Sequence, residues 1–70
     1  MAIATTADTT RIFFDRTAFL ATMRLGTLES ILAGAGIEAE VYTMATSVGI
    51  DCKTRELADV AALLKQHGLI

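Results

Sequence analysis

The chain has 70 residues, 53% of them hydrophobic, and a formal net charge of −2 at pH 7. Its single cysteine excludes an intrachain disulfide, and one cysteine with one histidine cannot close a structural zinc site. No basic cluster is present, which argues against a nucleic-acid surface because phosphate contacts need clustered lysine or arginine. So small and apolar a chain is predicted to form a homo-oligomer, most simply a dimer.

No membrane span and no export signal are predicted. The longest apolar stretch contains Arg24 and Glu29, and a charge near a bilayer centre costs about 2.5–3.5 kcal/mol. The start, "MAIATTADTT", lacks the basic and apolar regions of a signal peptide. With a lone cysteine as well, the predicted location is cytoplasmic.

The first predicted element follows a flexible tail. Residues 1–10 are rich in threonine and offer no anchor to a core, so the domain is predicted to span 11–70. "RIFFD", residues 11–15, predicts a strand with Ile12 and Phe14 on one face and Phe13 on the other.

A single long helix is predicted over residues 17–35. Asp15 or Thr17 can cap its start, and Gly36 can end it in the left-handed conformation. Its predicted buried stripe consists of Leu20, Leu28, Ile31, Leu32 and Ala35.

A hairpin and a second helix complete the chain. Residues 37–44 and 48–53 alternate as strands and are close enough to pair antiparallel. Thr54 is predicted to cap the last helix, which Gly68 ends. The side chains predicted to face inward are Ile37, Ala39, Val41, Val48, Ile50 and Cys52 from the strands and Leu57, Val60, Ala61 and Leu64 from the helix.

These elements predict an α+β fold of order βαββα. A right-handed crossover places both helices on one face of a three-stranded sheet of order 1-3-2, a truncated ferredoxin-like fold. The first strand then has an open edge that invites pairing with a second copy. The uncovered face would carry Phe13, Tyr42 and Met44, which are the predicted oligomer interface.

Cys52 allows two interpretations. Lys53, Arg55 and the start of the last helix would lower its pKa and favour a reactive thiol. The adjacent Asp51 and the inward position on its strand favour a buried core residue instead, and we adopt that interpretation because free cysteine is commonly buried.

Arg24 is the other unusual residue, because helical spacing places it within the apolar stripe. Its stem could extend along the helix to bring the charge to the surface. It could instead bind an anion or a carboxylate across an interface, and a helix break near Gly26 would turn it outward. No catalytic arrangement, metal site or cofactor motif is legible, so nothing supports an enzymatic activity.

"ESILAGAGI", residues 29–37, carries a family likeness. Glu29, Leu32, Gly36 and Ile37 match an E-x-x-L-x-x-A-G-I run, and "TSVGID" and "LLKQHGLI" correspond to later segments. From residue 12 to 69 the chain resembles the small bacterial selenium/sulfur carrier-like proteins, and it is also similar to small signal-transducing domains. The family's cysteine corresponds to Val48, so the carrier role that the resemblance implies would require Cys52.

Three functions are therefore predicted as alternatives. The first is a non-catalytic binding or regulatory module that acts through homo-oligomer or partner-protein contacts. The second is a persulfide or selenium carrier that uses Cys52. The third is a small inhibitor protein encoded by a phage or mobile element.

Overall fold

A computed structural model describes residues 1–70 and has an α+β architecture. Its helices are α1 (Arg16–Thr22), α2 (Leu25–Gly34) and α3 (Leu57–Gln66), and a short 3₁₀ turn, Thr54–Glu56, precedes α3. Its strands are β1 (Ala2–Thr5), β2 (Thr9–Asp15), β3 (Glu40–Thr43) and β4 (Ser47–Lys53), in the order β1-β2-β4-β3 with every neighbouring pair antiparallel. None of these helices has both the length and the apolar character that a membrane span requires.

The α+β class is confirmed, and the predicted order of the three strands holds as β2-β4-β3. The number of strands is wrong, because residues expected to form a loose tail supply β1. A tight turn at Ala7 and Asp8 returns the chain, with the Thr6 amide donating to the Thr9 carbonyl at 2.8 Å. The edge that was predicted to be open, on β2, is therefore covered by β1.

Thr54 anchors this N-terminal hairpin to the rest of the molecule. Its hydroxyl donates to the Thr6 carbonyl at 2.8 Å and lies 3.0 Å from the hydroxyl oxygen of Thr10, which is fully buried. Its amide donates to the Asp8 carbonyl at 3.1 Å. Thr54 thus stabilises the hairpin, and no side chain caps the start of α3.

The predicted long helix is two helices, which makes three α-helices instead of two. Met23 and Arg24 adopt extended backbone angles between α1 and α2. The break changes the helical phase, so Phe19 is buried in α1 whereas Leu20 is 44% exposed. Capping by Asp15 is confirmed, since its carboxylate accepts from the Ala18 amide at 2.9 Å.

Both predicted helix ends are confirmed. Gly36 and Gly68 have positive φ, and the following amides of Ile37 and Leu69 donate to carbonyls five residues back.

One apolar core lies between the sheet and the helices. The core consists of Ile12, Phe14, Phe19, Leu28, Leu32, Ile37, Val48, Ile50, Cys52, Val60 and Leu64. Because its strand members alternate along β2 and β4, the helices cover one face of the sheet only.

Candidate functional site

The other face of the sheet is not covered by any element and is the first candidate surface. The strand register places Phe13, Gly49 and Tyr42 in one row across β2, β4 and β3. The next row contains Arg11, Asp51 and Glu40. Since paired residues point to the same side of a sheet, an aromatic row lies beside a charged row.

Tyr42 lies on Gly49. A Cβ added to Gly49 would overlap the Tyr42 ring, so only glycine leaves room for the ring at this point of β4. The phenol donates a 2.8 Å hydrogen bond to the Asp51 carboxylate. Burial of the phenol, this hydrogen bond and the negative charge of Asp51 together raise the pKa of Tyr42 above its usual 10.0.

Two pairs of oppositely charged side chains lie in contact on this face. The Nε of Arg11 lies 3.5 Å from the second oxygen of Asp51, and Lys53 Nζ lies 3.3 Å from a Glu38 carboxylate oxygen. Each pair has at least one well-exposed partner, so each contributes at most about 1 kcal/mol to stability. The two ion pairs restrict the orientations of the side chains that form them.

The structure places the predicted interface residues on or next to this face. Phe13 and Tyr42 are half-buried and flank Gly49 in one row. Met44 follows the last residue of β3 and is 42% exposed. Arg24 lies elsewhere, at the exposed start of α2 on the helical side of the sheet, and its guanidinium forms no ion pair.

Cys52 lies on the opposite, helix-covered face, and its predicted inward position is confirmed. The residue is 3% exposed and is surrounded by the apolar core. Burial raises the pKa of its thiol above the usual 9.0, and the charges of Glu56 and Asp51 act in the same direction. Little thiolate forms at neutral pH, which disfavours nucleophilic or carrier chemistry.

The free edge of β1 is the second candidate surface, and the sequence prediction missed it. Two of the five exposed large apolar residues lie there, Met1 and Ile3. Met1 and Leu69 line one groove of about 320 Å³, with Phe14 and Phe19 at its base. The missed signal was the spacing of "AIATT" and "TTRIFF", two β-prone runs separated by Ala7 and Asp8.

Neither surface contains a cluster of metal-binding side chains. No group of three or more His, Cys, Asp or Glu side chains is placed to hold a metal ion. Comparison with known proteins finds no matching family model, no matching curated protein and no matching solved structure. The likeness to the selenium/sulfur carrier-like proteins therefore remains a prediction from the sequence.

Proposed function

We propose that this chain is a small non-catalytic binding or regulatory module that acts by contact with a second copy of itself. The observation that carries the proposal is the pair of exposed apolar side chains at the β1 edge, Met1 and Ile3. A domain of 70 residues gains stability by covering such side chains between chains, and identical chains associate most simply about a two-fold axis.

The positions of the potentially reactive side chains support a binding role over a catalytic one. Three groups of the sheet that could act as acid, base or nucleophile, Tyr42, Asp51 and Cys52, are held by the hydrogen bond across the open face or by burial in the core. The carrier alternative would need a thiol that reaches a donor protein, and the 3% exposure of Cys52 argues against it.

Sedimentation velocity over a concentration series tests the proposal. We expect a reversible shift from the chain mass of 7.4 kDa to twice that value, complete at roughly tens to hundreds of micromolar, as for interfaces of modest size. A single species of 7.4 kDa throughout this range would contradict self-association and leave a different partner protein as the occupant of these surfaces.

A further inference from the structure

We infer that the free edge of β1 is the seam of a two-fold dimer, in which Ala2–Thr5 pairs antiparallel with the same strand of a second copy. The two four-stranded sheets then join into one sheet of eight strands. The inference rests on the proposed self-association and adds to it the surface, the register and the kind of contact.

The backbone of β1 is arranged for this pairing. The Thr6 amide donates to the Thr9 carbonyl, so that pair is a hydrogen-bonded pair of the β1–β2 ladder. Hydrogen-bonded and non-hydrogen-bonded pairs alternate along an antiparallel ladder. With the observed register, Ile3 and Thr5 therefore direct their N–H and C=O groups away from β2, toward the free edge.

The chemistry of β1 does not oppose strand addition. Proteins protect their sheet edges with charged residues, prolines or bulges. β1, "AIAT", contains no charge and no proline, and it pairs with β2 without interruption. The other edge, β3, begins with Glu40 two residues after Glu38, and α2 packs beside it. Both edge strands are four residues long, and only β1 lacks charged residues.

The side chains determine the register of the seam. Backbone hydrogen bonds form across the seam only where residues with outward-facing N–H and C=O groups lie opposite each other in the two strands. Such residues alternate along the strand. The two-fold axis must therefore pass through the position of one residue and not between two adjacent residues. An axis at Ile3 places the two Ile3 side chains directly opposite each other. Each is 51% exposed in the single chain, and Met1 lies on the same side of the strand.

The occupant of this edge is a second copy because β1 is itself the kind of strand that the edge accepts. It is extended and uncharged, and it carries its exposed apolar side chains on the helical side of the sheet. In a two-fold dimer both chains contribute the same strand, so these features are present on both sides of the contact. The open face is less suited to self-association, because docking there would desolvate the ion pairs of Arg11 and Lys53.

Three matched substitutions locate the seam by sedimentation velocity. Ile3, Leu20 and Met44 are exposed to similar extents and lie at the β1 edge, on α1 and beside the open face. We expect Ile3→Lys to weaken dimerisation at least tenfold, because each copy then brings a lysine to the axis, whereas Leu20→Lys and Met44→Lys leave the dissociation constant within about twofold. A dimer that Met44→Lys disrupts and Ile3→Lys does not would overturn the inference while leaving self-association intact. A wild-type monomer would refute both.

Cysteine cross-linking checks the seam without disrupting it. With the axis at Ile3, the two Ile3 Cα atoms lie about 5.5 Å apart, which is within the range of a disulfide. The two Ala4 Cα atoms lie roughly 8 Å apart, because they are offset along the strands. Ile3→Cys should therefore form a disulfide-linked dimer on mild oxidation, and Ala4→Cys should not. Native Cys52 is buried and does not interfere. Absence of a cross-link in Ile3→Cys, or a stronger one in Ala4→Cys, would exclude this register.

Discussion

The two faces of this sheet are made of alternate residues of the same strands, yet they are stabilised in different ways. On the helix-covered face, Val48 and Ile50 are fully buried in a continuous apolar core. On the open face, Gly49 and Asp51 of the same strand support one aromatic ring and one small polar network. The difference shows that burial fixes one face, whereas local fit and hydrogen bonds order the other.

The largest expected effect compares two neighbours on β4. Ile50→Ala should lower the free energy of unfolding by about 2–5 kcal/mol, because it leaves a cavity in a packed core. Asp51→Ala, on the open face, removes only exposed or partly exposed polar contacts and should cost about 1 kcal/mol. Urea denaturation of both variants measures the difference. Equal losses would show that the two faces do not differ as described.

The next effect tests the fit of Tyr42 on Gly49. Gly49→Ala should destabilise the protein by about 1–3 kcal/mol, because the new methyl group overlaps the ring and displaces it from Asp51. In a Tyr42→Ala background the ring is absent, so the same substitution should be neutral or slightly stabilising. The double-mutant cycle isolates this coupling. A penalty of the same size in both backgrounds would place its origin elsewhere.

The smallest effect is a pH dependence to which each face contributes one group. Cys52 on the covered face and Tyr42 on the open face both have a raised pKa in the folded chain. The unfolded chain therefore loses these protons at a lower pH than the folded chain does. The stabilisation that the two groups provide is fully present below their usual pKa values and is lost as the pH rises above them. The decline should begin near pH 9.0 through Cys52 and near pH 10.0 through Tyr42.

Denaturation at a series of alkaline pH values measures this decline, and two variants divide it between the faces. Cys52→Ala should remove the earlier part and Tyr42→Phe the later part. A decline that is unchanged in both variants would assign it to other groups.

The covered face could be predicted from the sequence far better than the edges. Alternation in residues 48–53 correctly placed Val48, Ile50 and Cys52 inward, because a strand beside a core has a strong apolar period. β1 was missed because residues 1–10 were interpreted as a tail with no anchor to the core, whereas Thr10 and Thr54, 44 residues apart, anchor the hairpin. The helix break at Arg24 was raised only as an alternative, since no proline or cap marks it.

The site was predictable only in part. Alternation placed Phe13 and Tyr42 on one face, but the contact of Tyr42 with Gly49 depends on the register between two strands, which no local pattern contains. The exposed apolar edge followed from a hairpin that was interpreted as a tail. Long-range pairing decided the first feature, whereas a local hairpin that the prediction overlooked decided the second.

The pairing of β2 with β4 also has a consequence for how the chain folds. Its partners range from Asp15 with Ser47 to Thr9 with Lys53, so they are 32 to 44 residues apart. The β3–β4 hairpin and the three helices need only local contacts, whereas the centre of the sheet must close a loop of more than 30 residues. Such non-local pairing slows folding. During synthesis, β2 can therefore pair only with β1, and its core-facing side chains stay uncovered, until β4 has been synthesised.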